Sequence, residues 1–126
     1  MTKRVMNYIK GRLKSFSHAF NGMRILIKEE RNTQIHVLLA VITLLFSFFF
    51  RISLYEWIMV STMIGLVFAM EAINAAIENL SDYACNKEIH PTIKKVKDLS
   101  AAAVLLIALV ALIVGCIIFI PKLLSL

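Results

Sequence analysis

Residues 99–120, "LSAAAVLLIALVALIVGCIIFI", run for twenty-two positions without a charged side chain. As a helix rising about 1.5 Å per residue, this stretch is roughly 33 Å long, enough to cross a hydrocarbon core of about 30 Å. The chain has only 126 residues, 60% of them hydrophobic, with four Gly and two Pro. A soluble domain of this size could not hide so much apolar surface. The expected architecture is therefore one all-α membrane domain over residues 1–126.

Two further apolar runs precede this one. The first is "IHVLLAVITLLFSFFF", continuing into "RISLYEW". Its uncharged part, Val37–Phe50, is shorter than the ~20 residues a span needs, so flanking residues complete it as 35–56. Arg51 can snorkel, and Tyr55 and Trp57 suit an interfacial aromatic belt. The second span is expected at 57–81 and the third at 98–120, stopped by Pro121-Lys122. Residues 82–97 form a polar, Lys-rich connection.

Ahead of the spans, residues 3–30 read as one amphipathic helix within a surface segment, 1–31. Val5, Ile9, Leu13, Phe16, Phe20, Met23 and Ile27 recur at steps of four or three, and the other faces are basic or polar. The same step places Glu30 on the inward face and Glu29 toward water. Residues 1–31 carry eight Lys/Arg against Glu29 and Glu30, which is the whole net charge of +6. Such a segment attracts anionic headgroups or phosphates. Nothing in it resembles a nucleic-acid reading module. Residues 1–31 are highly charged and lack an apolar stretch of signal-peptide type, so no cleavable signal is expected. The two Cys lie at different depths and suggest no disulfide. The basic segments 1–31 and 82–98 are expected in the cytoplasm, which leaves the C-terminus outside.

The polar side chains of the second span narrow the function. Glu71, Asn74, Glu78 and Asp82 are spaced three, four and four, so they share one helix face. Counting from Trp57, Glu71 lies roughly 21 Å and Glu78 roughly 32 Å further in. Glu78 is then at the interface and Glu71 just inside lipid. A carboxylate at that depth costs a few kcal/mol or more unless it faces protein, water or a ligand. Two explanations stand side by side: Glu71 as packing glue between helices, and Glu71 as a desolvated general base at the level of a lipid alcohol. Glu78 with an inward Glu30 offers a carboxylate pair for Mg²⁺, which needs only one or two carboxylates plus waters and phosphates. Asn74 can orient a side chain or phosphate. Lys97 can balance a polyphosphate, or with Lys94 and Lys95 simply anchor the connection by charge. Asp98 can orient it, or simply cap the third helix. Together these parts suit phosphoryl transfer at a membrane surface, without a P-loop or kinase glycine-rich loop. A small ion-coupled transporter or channel subunit using Glu71 as its ion site fits the same spacing. So does a non-catalytic scaffold packed through Gly65, Ala69, Ala101 and Ala111.

"EAINAAIENLSD" resembles the signature E-x-x-N-x-A-I-E-x-x-x-D of the small prokaryotic integral-membrane diacylglycerol and undecaprenol kinases. "KVKDLSAAAVL" is similar to that family's second block, and "SFSHAFNGMRILIKEERNTQIH" to its N-terminal segment. The resemblance runs in order along nearly the whole chain. It implies an ATP-dependent, Mg²⁺-requiring lipid kinase of the bacterial inner membrane, serving phospholipid or cell-envelope lipid-carrier metabolism. It also implies a homotrimer with composite sites between subunits. Matched residue by residue, Glu71 is the general base and Asn74 an active-site amide. Glu30 and Glu78 are the metal carboxylates and reach the nucleotide through the metal. Lys97 and Asp98 are the nucleotide-binding pair.

Other matches are looser. Glu88 and His90 fall where the family's connection meets ATP, in a connection one residue longer than in the best-known form. His18 stands where a nucleotide-contacting Tyr is common, although a plain surface histidine fits there equally. The chain has Ser100-Ala101 where diacylglycerol-specific members have Gly-Ser, so a substrate-contacting hydroxyl is missing. Gly11 falls at the family's N-terminal nucleotide-binding Arg, which leaves Arg12 or Lys10 as substitutes. "EERNTQIH" looks closer to the undecaprenol-kinase branch.

Overall fold

The computed structural model describes residues 1–126 as four helices: α1 (Thr2–Glu29), α2 (Arg31–Phe49), α3 (Leu54–Ala84) and α4 (Pro91–Leu124). No strand is present. The last three are each long and apolar enough to cross a membrane. At about 1.5 Å per residue, α3 and α4 exceed a ~30 Å hydrocarbon core by more than 10 Å, so both carry polar turns beyond it.

The helix ends differ from the expected span limits, and each difference has a local cause. α1 ends one residue short of Glu30, which is extended (φ −99°, ψ 112°) and joins α1 to α2. Gln34 Nε2 donates to the Ile27 and Lys28 carbonyls at 3.3 Å each, replacing partners those carbonyls lose at the break. Glu30 is half-buried and Glu29 exposed, but the break at Glu30 removes the helical step on which its expected inward placement rested. α2 closes at Phe49 in a Schellman turn: Ile52 N–H donates to Ser47 O and Arg51 N–H to Phe48 O, both at 3.3 Å. Arg51 takes the left-handed conformation there (φ 48°) in place of the usual Gly.

α3 opens three residues before Trp57 because Ser53 and Glu56 form a capping box. Ser53 Oγ accepts from Glu56 N–H (3.2 Å) and Glu56 Oε1 accepts from Ser53 N–H (3.0 Å). α4 opens at Pro91, with His90 Nδ1 capping it by accepting from Thr92 N–H (3.2 Å). The polar connection is therefore mostly helical, and only Cys85–His90 is a turn. Asp98 lies well inside α4, which removes its capping role. Pro121 does not stop α4, which continues to Leu124.

α3 and α4 are the closely packed pair, antiparallel across that turn. Asp82 pairs with Lys97 beside it (2.6 Å), Asn74 bonds Ser100 further along (2.7 Å), and Glu56 pairs with Lys122 at the far end (2.7 Å). At that far end Ile52, Val60, Ile118 and Phe119 form the apolar core, flanked by Phe50, Trp57, Ile64 and Val114. Phe48 and Trp57 meet edge-on at 4.9 Å. The packed end is therefore opposite the carboxylates. α2 leans on α3, and α1 touches α2 and α3. Only 11 of 126 residues are buried, so nearly all the apolar surface is left for lipid or for other copies of the chain. Both Cys are free.

Candidate active site

The helical repeat of α3 turns Glu71 into the bundle. It is 3% exposed, whereas Asn74 and Glu78 on the same face are half-buried. Glu71 lines a cavity of about 280 Å³ with Asn32, Ile35 and His36 of α2 and Ala101, Val104, Leu105 and Ala108 of α4. A second, almost wholly apolar cavity of about 430 Å³ shares His36 and Ala108 with the first and extends to Phe46 and Phe119. The arrangement is a carboxylate at the head of a lipid-like groove. A carboxylate so placed can accept a proton from a hydroxyl that enters from the apolar side.

One turn along α3, Asn74 Oδ1 accepts from Ser100 Oγ, which is itself buried and lies 3.0 Å from the Lys97 carbonyl. Ser100 therefore fixes the amide of Asn74. The matching residue Ala101 presents a methyl group to the cavity wall. Two turns further along, Asp82 holds Lys97. This contact explains Asp82, to which the sequence alone gave no role.

Glu30, at the α1–α2 junction, is close enough to Glu78 and Glu71 for their charges to act on it. Burial, followed by the charges of Glu78, Glu29 and Glu71, pushes its carboxyl above the usual range. The donor chemistry, two hard carboxylates left repelling one another, fits Mg²⁺. No three His, Cys, Asp or Glu side chains converge into a complete cage, so waters or phosphate oxygens would supply the remaining ligands.

The raised Glu30 also sets a pH dependence. The folded chain holds this proton more tightly than the unfolded chain. Glu30 therefore favours folding below its unfolded value and loses that contribution as pH rises through its folded value. Glu30→Gln is expected to raise the melting temperature of metal-free protein by a few °C at most at pH 8, and to leave it unchanged at pH 4. Mg²⁺ should shrink the difference at pH 8. An equal shift at both pH values in thermal melts would contradict the assignment.

The remaining sequence candidates are not brought together. Lys97 faces Asp82, while Asp98 faces Lys94 in an exposed pair at 2.6 Å. The two neighbours thus point to different sides of α4. His18 is exposed on α1, Glu88 is exposed in the turn, and His90 is engaged as a helix cap. Sequence reasoning missed His36, whose Nδ1 lies 2.7 Å from Glu71 Oε1. The signal was present: His36 is the one polar side chain within "IHVLLAVI", and a carboxylate at lipid depth requires a partner.

Residues 17–119 match the profile of the family described as prokaryotic diacylglycerol kinase. An undecaprenol kinase from Bacillus subtilis (strain 168) is 39% identical over 110 residues, covering 87% of this chain and 89% of that protein. A diacylglycerol kinase from Synechocystis sp. (strain ATCC 27184 / PCC 6803 / Kazusa) is 32% identical over 114 residues, covering 90% of this chain and 65% of that protein.

Proposed function

The chain belongs to the prokaryotic diacylglycerol kinase family and is a lipid kinase, and from that premise we propose that it transfers the γ-phosphoryl group of ATP, with Mg²⁺, to a membrane lipid alcohol. The observation that carries this is Glu71: a buried carboxylate on a membrane-length helix, lining a cavity that shares His36 and Ala108 with an apolar groove. The lipid hydroxyl sits at Glu71 and gives up its proton there. Its oxygen forms the new bond to the γ-phosphorus, the bond from that phosphorus to the ADP oxygen breaks, and ADP departs. Asn74, held by Ser100, orients the reacting groups. Glu30 and Glu78 would hold Mg²⁺, which would neutralise charge on the phosphates. Lys97, Asp98, Glu88, His90 and His18 form the outer nucleotide contacts, for which Lys97 must exchange Asp82 for phosphate.

The placement is a bacterial cytoplasmic membrane with residues 1–31 as a basic surface helix and the Cys85–His90 turn on the ATP side. The Lys/Arg distribution supports this orientation. A homotrimer with sites shared between copies accounts for the apolar surface that one chain leaves uncovered.

Undecaprenol is the favoured alcohol. The more similar of the two relatives is an undecaprenol kinase, and Ala101 offers no hydroxyl to a glycerol headgroup. Diacylglycerol, named for the other relative, is the second substrate to test. Purified protein with labelled ATP and each lipid in parallel is expected to phosphorylate undecaprenol at least about tenfold faster, a difference of ~1.4 kcal/mol in transition-state binding. A preference for diacylglycerol would reverse the substrate assignment. Ion flux in liposomes without ATP consumption would replace the kinase by the transporter.

A further inference from the structure

Glu71 Oε1 is enclosed and has no hydrogen-bonded partner, and the same holds for His36 Nδ1, which lies 2.7 Å away. The two atoms are at ion-pair distance but out of line for a hydrogen bond. Catalytic contacts commonly become aligned only when substrate closes a site. No other donor competes for this oxygen. α4 presents only Ala101, Val104, Leu105 and Ala108 to the cavity, none of them titratable. Asn32 of α2 lines it without bonding Glu71. The charges linking this region to the junction are the like charges of Glu78, Glu29 and Glu71, all acting on Glu30. His36 also lines both cavities.

We propose that His36 is the positioning residue for Glu71: its Nδ1–H fixes Oε1, so that Oε2 is turned to the cavity as the proton-accepting oxygen. The inference rests on the assignment of Glu71 as the base. During transfer the hydroxyl proton passes to Oε2, the lipid oxygen–phosphorus bond forms, and the bond to ADP breaks. His36 keeps its own proton throughout, and the proton on Glu71 is then lost to water. His36 acts through orientation, because a base carried on a freely rotating side chain spends little time in the productive geometry.

The test compares His36→Ala and His36→Gln in purified protein, with His36 Nδ1 followed by ¹⁵N NMR in wild-type and Glu71→Gln protein. His36→Ala is expected to lower kcat by up to ~100-fold with KM for ATP unchanged. His36→Gln, whose amide can donate to the same oxygen, should recover part of that loss. The Nδ1 resonance should move when Glu71 becomes Gln. Normal kcat in His36→Ala beside an inactive Glu71→Gln overturns the pairing alone. Full turnover in Glu71→Gln overturns the base assignment and this inference with it. Should His36→Ala fail to fold, His36→Gln and the resonance decide: an unmoved Nδ1 signal, or a His36→Gln variant no better than a Glu71 knockout, overturns it.

Discussion

Glu71→Gln is expected to abolish phosphorylation, lowering kcat by about 10²–10⁴-fold, the usual contribution of a positioned general base. The substitution is nearly isosteric, so the carboxylate's role as proton acceptor is lost while the side chain still fills the space between α2, α3 and α4. Folding and nucleotide binding should persist, because Glu71 lines the cavity between α2 and α4 while Glu30 and Glu78 are the carboxylates proposed for the metal. Steady-state turnover and equilibrium ATP binding, measured on the same preparation, separate the two properties. A variant that retains near-normal kcat removes Glu71 from the mechanism. One that loses ATP binding as well places Glu71 in the nucleotide site instead.

Glu78→Gln carries the second large effect, and on the other substrate. Glu78 is half-buried on the face it shares with Glu71, two turns nearer the α3–α4 turn. With Glu30 it supplies the two carboxylates that Mg²⁺ can use. Removing one should raise the Mg²⁺ concentration needed for half-maximal rate by at least the ~10–100-fold that losing a supporting contact costs a metal site. The KM for the lipid should stay unchanged. Titration of activity against Mg²⁺ at fixed ATP provides the measurement, and an unchanged Mg²⁺ dependence would contradict the assignment.

The stripe from Glu71 to Asp82 was legible because a 3.6-residue period is a local property of the chain, and so was the helical character of the apolar runs. Helix ends were less legible, since they depend on side chains reaching back to the backbone. Gln34 supports the break at Glu30, the Ser53–Glu56 box starts α3 early, and His90-Pro91 starts α4 before the first apolar residue. Pro121 looked like a stop, but near the end of a helix it removes only one donor. Tertiary partners were not legible at all. His36 meets Glu71, Ser100 meets Asn74, and Lys97 meets Asp82 from different helices. A sequence can show that a buried carboxylate needs a partner without showing which helix supplies it. The same limit applies to Lys97 and Asp98: adjacent in sequence, they turn toward different sides of α4.

The two ion pairs that close α3 against α4, Asp82–Lys97 and Glu56–Lys122, lie about 26 residues apart along α3, or roughly 39 Å. That separation exceeds a hydrocarbon thickness of about 30 Å by some 9 Å, so in a bilayer of ordinary thickness both pairs can sit among headgroups. Thickening the hydrocarbon toward that limit would begin to drag one pair or the other out of its polar layer, at a cost of fractions of a kcal/mol per Å of mismatch. The helix pair thus carries a depth stop at each face. The stops limit vertical drift of the bundle, and with it the depth of Glu71 in the membrane.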